Sequence, residues 1–379
     1  MNRFISLFAI LIPVNIFIFS AIEIQAAYPA GWRYRQVITV TGTNFSHDMT
    51  NFAVLVSYTN ANLKSVANGG HVTQDDGGDI RFHNAADTQL SHEIEKYVAT
   101  NGNLIAWVKV PSISSNTDFT LNMYYGSAEA GDQWNATNTW ETNAMMVQHF
   151  NETSGGINYD STAYTNHGTI IGASLITTGQ VDGADSFDAI DDYVNAGNGA
   201  SLDITNTVTV TVWIFYTGAS RSWILSRDLS SSYGYQLGIE SSRKMTISIG
   251  NGSGYNVVTA NEVEQTNVWT HIAATYIISA SNITSVALFR NGTLVKSGPI
   301  LRIINNGVNA VLIGSYSRFG TYWFNGLIDE LRIHNRALSL GEITAQYNNQ
   351  VLPSAFYSVG AEQQRLNKGT IISVCLVSE

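Results

Sequence analysis

Phe324-Asn325-Gly326-Leu327-Ile328-Asp329-Glu330-Leu331-Arg332-Ile333-His334 is the stretch on which the fold turns. At period two it reads as a strand, with Leu327, Asp329, Leu331 and Ile333 on one face and Ile328, Glu330, Arg332 and His334 on the other. Asn335-Arg336-Ala337-Leu338-Ser339-Leu340-Gly341-Glu342-Ile343 follows and predicts a short helix: Ser339 and Glu342 have capping-box spacing, and Leu338 can staple to Ile343. Asp329 breaks the pattern as a carboxylate in an apolar row. Burying a charge is costly unless it is paired or metal-bound, so Asp329 is the sharpest chemical clue in the chain.

Away from this stretch the chain keeps a β composition. Of 379 residues only 13% are charged, and 32 are glycine, enough length for two or three domains. A net charge of −10 argues against nucleic acid or an anionic membrane as the main partner. Arg3 precedes an apolar run from Phe4 to about Ser20, and Ala26-Ala27 offers a cleavage site. Residues 1–27 therefore read as an export signal, with an uncleaved anchor as the rival reading. Pro13 and Asn15 interrupt the run and favour cleavage, with no membrane insertion beyond that segment. Cys375 is the sole cysteine, so an exported chain folds without internal disulfides, as a bacterial secreted, periplasmic or cell-surface protein would.

Residues 28–134 carry clean alternations: Phe52, Val54, Val56 and Tyr58; Leu104, Ala106, Val108 and Val110; Phe119, Leu121, Met123 and Tyr125. Short strands with Gly and Asn turns predict an antiparallel sandwich. Asp75, Asp76 and Asp79 surround Gly77-Gly78 without the spacing of a calcium loop, and a turn is the better reading. Residues 135–142, rich in Asn, Thr and Trp, read as a linker. In the region 143–362, Val208, Val210, Val212 and Ile214 oppose Thr209, Thr211, Trp213 and Phe215, which predicts a central strand covered on both sides. Asn291-Gly292 signals a type I′ hairpin. The tail 363–379 is left without a structural assignment.

Five ordered passages carry a resemblance. Ser186-Phe187-Asp188-Ala189-Ile190-Asp191-Asp192-Tyr193-Val194, Val208–Trp213, Trp269-Thr270-His271-Ile272-Ala273-Ala274-Thr275-Tyr276, Phe289-Arg290-Asn291-Gly292-Thr293-Leu294-Val295 and the stretch quoted first are similar to the LamG-like jellyroll domains of the concanavalin A-like lectin/glucanase superfamily. In the first region Trp32-Arg33-Tyr34-Arg35, Gly77–Phe82, Trp107–Pro111 and Tyr124-Tyr125-Gly126 resemble the bacterial domain of unknown function numbered 2341. The expected fold is all-β: two antiparallel sandwiches, the second a LamG-like jellyroll with a short C-terminal helix. The resemblance also implies a structural Ca2+ near the junction of the last and first core strands, with Asp329 as a ligand and Glu152 as a second. A hydrogen-bonded core acid is the alternative for Asp329.

Glucanases of this fold carry Glu-x-Asp-x-(x)-Glu on one strand, and no such string occurs here. Glu262-Val263-Glu264 and Glu93-Ile94-Glu95 lack the middle Asp and the third Glu. The nucleophile-elbow and zinc-helix motifs are also absent, so the expectation is a non-catalytic binding module. Tyr316, Phe319, Tyr322 and Trp323 crowd one Gly/Ser-rich loop, and Trp223, Tyr233 and Tyr235 crowd another, as platforms for sugar stacking or as packing at the sandwich ends. Carbohydrate binding or adhesion to a glycan or a surface or matrix protein is the first reading. The alternatives are a structural or surface-display protein with a protein partner, and an accessory subunit of a polysaccharide-degrading system.

Overall fold

The computed structural model describes residues 28–365 apart from 219, 228–232, 279–283, 307 and 317–321. The N-terminal apolar segment, Phe319 and the tail after 365 lie outside the described residues. Four antiparallel sheets form two sandwiches. In the first, Tyr34–Val40, Phe119–Tyr125, Arg81–His83 and Gln89–Leu90 face a three-stranded sheet of Met49–Thr59, Asn103–Ile113 and His92–Val98. The alternating residues Val54, Val56, Leu104, Ala106, Val108, Leu121 and Met123 meet in its core, as a period-two pattern requires.

The other face of the three-stranded sheet is buried too. Leu55, Ile105 and Trp107 pack with Trp140, Ala144, Val147 and Val181 of the chain that follows. Residues 135–142 are thus a packed joint: Asn135 caps the turn Ala136–Thr139, and Trp140 is 5% exposed. The segment read as a linker is packed rather than exposed, since a tryptophan buries its large apolar area wherever a second surface is offered.

The second sandwich joins two eight-stranded sheets. Val208–Tyr216 is central, between Trp269–Ile278 and Asn325–His334. Val208, Val210, Val212 and Ile214 face the core, while Trp213 stacks on Tyr347 of the helix Leu340–Val351. The helix begins with the expected capping box, in which Ser339 Oγ accepts Glu342 N–H at 3.2 Å and Glu342 Oε2 accepts Ser339 N–H at 2.8 Å. Leu338 and Ile343 share one cluster. Asn291 and Gly292 both have positive φ, 49° and 72°, as a type I′ turn demands.

Two expectations change. The alternation in Asn325–His334 breaks at Glu330, whose φ is 51°. Thr211 pairs with Arg332 but Trp213 pairs with Asp329, so a bulge shifts the frame by one residue. Ile328, Leu331 and Ile333 enter the core, and Asp329 stands outside it rather than sharing their face. The chain also returns after the helix to the first sandwich, where Tyr357–Val359 and Gln363–Gln364 pair with Tyr34–Val40. The boundary at 362 is therefore corrected: residues after the helix complete the first sandwich, because its sheet edge offers free backbone groups.

Candidate functional site

On the sheet formed by Ser222–Ser226, Tyr233–Ile239, Lys244–Asn251 and Tyr255–Val263, Leu237, Ile239, Ile247 and Ile249 point into the core. The intervening positions face outward. Gln236 pairs with Ser248, and Ser248 with Val257, so the three form one cross-strand row. Together with Arg221, Trp223, Tyr255, Tyr316 and Tyr322 they line a cavity of about 550 Å³. That size suits a small ligand; such pockets run to roughly 300–1,000 Å³.

Three rings make the wall. Trp223 stacks on Tyr316 with centroids 6.1 Å apart, and Tyr316 meets Tyr322 edge-on at 6.4 Å. Trp223 lies flat because its neighbour across the strand is glycine: a Cβ on Gly238 would come within 2.5 Å of the indole. Tyr322 sits at the rim, 46% exposed, with φ at 60°, a left-handed conformation uncommon outside glycine. Arg221 caps the wall, its guanidinium 5.7 Å from the Trp223 ring and 5.4 Å from the Tyr322 ring. Glu240 holds Arg221 at 2.6 Å, and that hydrogen bond raises its pKa. The polar side is joined up, with Gln236 Nε2 donating to Tyr255 Oη at 3.2 Å and the hydroxyls of Tyr255 and Tyr316 3.1 Å apart.

The structure brings together Trp223, Tyr316 and Tyr322 around one cavity and places Tyr235 and Trp323 elsewhere. Tyr235 is 2% exposed in the core, where burial pushes its phenol up to about 12. It cannot meet a sugar, because odd positions of its strand face inward. Trp323 lies against Tyr193, ring centroids 5.8 Å apart, and does not line the cavity. Arg221, Gln236, Ser248, Tyr255 and Val257 were missed. Period-two alternation placed Gln236 and Ser248 outward, but only the register sets them side by side.

Asp329 is fully buried, and its Oδ2 accepts the Gln180 and Val181 amides, each at 2.8 Å. Two backbone donors offset the burial of that oxygen, while Asp329 Oδ1 is buried with no hydrogen-bond partner. Burial and the neighbouring Glu330 hold the carboxyl well above the usual range. Glu152 Oε1 accepts Tyr159 N–H at 2.7 Å. Among the described residues, the groups of three with ligand atoms within 4.8 Å of one another are Glu95, His149 and Glu330, and Asp188, Asp191 and Asp192. Asp329 and Glu152 belong to neither.

Residues 187–344, which include the whole aromatic wall, match the family model of the concanavalin A-like lectin/glucanases superfamily. The second sandwich is a concanavalin A-like domain. Residues 76–167 match the domain of unknown function DUF2341, in the expected order and running past the first sandwich into the second. No curated protein matches the sequence. Among solved structures, the chain is similar to the receptor-binding domain of botulinum neurotoxin mosaic serotype C/D, at 15% identity over 55% of this chain and 51% of that one, TM-score 0.45. The binding domain of botulinum neurotoxin serotype G gives 16% identity over 55% and 51%, TM-score 0.44. The binding domain of Paraclostridial Mosquitocidal Protein 1 gives 14% over 54% and 52%, TM-score 0.42. The chain spans about half the length of these structures. Among the described residues no helix is long and apolar enough to cross a membrane.

Proposed function

We propose that this is an exported binding protein whose concanavalin A-like domain takes a carbohydrate into the Trp223–Tyr316–Tyr322 pocket without cleaving it. The observation that carries this reading is the pairing of an aromatic wall with the polar row of Gln236, Ser248 and the Tyr255 hydroxyl around one cavity. Sugar rings present apolar C–H faces and a belt of hydroxyls, and such a pocket answers both. Among the described residues its lining contains no carboxylate, whereas glycoside hydrolysis takes a pair of them about 5 Å or more apart.

The test is a glycan array on the full chain, followed by calorimetry on the best ligand. Tyr322→Ala is expected to weaken binding about tenfold. An aromatic contact contributes about 0.5–1.5 kcal/mol beyond its area, and about 1.4 kcal/mol is a factor of ten. A full array without a hit, an affinity unmoved by Tyr322→Ala, or capture only of a protein partner would sink the proposal.

A further inference from the structure

Where the strand His92–Val98 of the first sandwich meets Asn325–His334 of the second, five charged or ionisable side chains are enclosed. Glu95 and Glu330 are 0% exposed at the side chain, Arg332 2%, His149 4% and Glu93 9%. Each has an orienting partner. Trp107 Nε1 donates to Glu95 Oε2 at 2.7 Å, and Arg332 reaches Glu330 Oε2 at 2.5 Å. Glu93 accepts Trp140 Nε1 at 2.7 Å and Ser161 Oγ at 2.6 Å. The His149 ring lies between the indoles of Trp107 and Trp140, at 5.8 and 5.6 Å. Its Nδ1 contacts Glu330 Oε1 and stands 3.5 Å from Glu95 Oε2, while its Nε2 stands 3.5 Å from Glu93 Oε2.

Two features are left over after this pairing. Glu95 Oε1, His149 Nε2 and Arg332 Nε are buried with no hydrogen-bond partner. Three carboxylates, Glu93, Glu95 and Glu330, also converge on the single imidazole of His149, with the Arg332 guanidinium beside Glu330. Lys96 stands apart from them, paired with Asp182.

We propose that Glu95, His149 and Glu330 bind a borderline first-row divalent cation of the zinc type, which ties the two sandwiches together. One ligand atom from each of the three lies within 4.8 Å of the other two. An imidazole nitrogen with two carboxylates is a donor set for such a cation, whereas calcium takes six to eight oxygens. The outer partners fit the role. Glu93 Oε2 stands 3.5 Å from the far ring nitrogen of His149, on the side where a carboxylate–histidine–metal arrangement places its carboxylate. Arg332 holds the outer oxygen of Glu330, and Trp107 fixes Glu95 through the oxygen that faces His149, which leaves Glu95 Oε1 free to ligate. Glu95 comes from the first sandwich, and His149 and Glu330 from the second, so the cation joins elements that chain connectivity alone leaves apart.

The experiment uses the full chain, stripped with EDTA and dialysed against Zn2+, with Ca2+ as comparator. One Zn2+ per chain with a raised melting temperature, and no such response to Ca2+, is expected. Glu95→Gln keeps the volume and should weaken Zn2+ binding at least tenfold. Glu93→Gln, which touches no cation, should weaken it roughly 10–100-fold, as outer partners do. Circular dichroism confirms that both variants fold. Folded wild-type chain that binds no stoichiometric Zn2+ overturns the proposal, and the cluster is then neutralised by protons. Zn2+ bound equally well by Glu95→Gln also overturns it, because the cation then sits elsewhere, as at Asp188, Asp191 and Asp192. Neither result bears on the aromatic pocket, which holds none of these residues.

Discussion

Asp185 shows how one residue can make the fold sensitive to pH. It is fully buried, its Oδ2 accepts Asn158 Nδ2–H at 2.6 Å, and its Oδ1 has no partner. Burial, with Glu152 nearby, raises the carboxyl from 3.8 to about 7. An acid with a raised folded pKa binds its proton more tightly in the native state. Its penalty is therefore absent below the unfolded value, grows as pH climbs from about 4 to about 7, and is complete above that. Asp185→Asn removes the charge and keeps the shape. We expect it to unfold at higher urea than wild type near pH 8, by about 2–4 kcal/mol, with the gap closing toward pH 4. A gap independent of pH would show that Asp185 is not the titrating group.

At the scale of elements, the helix Leu340–Val351 and the segment after it do more than close the second sandwich. Met49–Thr59 is an edge strand of the three-stranded sheet, with unpaired backbone groups on one side. Asn349 covers Leu55, its Oδ1 accepting the amide at 2.7 Å and its Nδ2 donating to the carbonyl at 3.0 Å. Tyr357 Oη does the same for Ser57, at 2.7 and 2.8 Å. Two side chains thus imitate a missing strand. Asn349→Ala leaves both Leu55 groups buried without partners and is expected to cost about 2–6 kcal/mol, at about 1–3 for each unsatisfied group. Urea unfolding of the full chain measures it. A loss under about 0.5 kcal/mol, the level of an ordinary surface change, would mean that water replaces the amide there.

At the scale of the molecule, the two sandwiches are expected to unfold as one. The sequence places a boundary between 134 and 143 and another at 362, which implies a second domain that folds by itself. The structure instead seats Leu55, Ile105 and Trp107 against Trp140, Val147 and Val181, and sends Tyr357–Val359 back into the first sheet. A fragment of residues 143–362 would expose Ala144, Val147 and Val181 and leave its last strand without a neighbour. We expect a single thermal transition for the full chain, coincident by far-UV dichroism and tryptophan fluorescence, and a fragment that aggregates or melts well below it. Two separated transitions in the full chain, or a soluble fragment with the same melting temperature, would show the junction to be dispensable.

What the sequence determined by itself is local. Alternation assigned the strands around Val54, Ala106, Leu121 and Val210, Ser339 with Glu342 placed the helix start, and Asn291-Gly292 placed a hairpin, since each depends on residues a few positions apart. The ordered passages from Ser186 to His334 were enough to recognise the concanavalin A-like domain. Tertiary structure decided the rest. The bulge at Glu330 moved Asp329 off the core face, and no local pattern announces where a ladder slips. Trp223 and Tyr235 look alike in sequence, yet one lines a pocket and the other fills the core, because only the register and the opposing Gly238 settle which side has room. Leu55 and Trp107 stand on what alternation alone marks as an outer face. Both are buried because a second sandwich, distant in sequence, folds onto them, and that contact is a property of the whole chain.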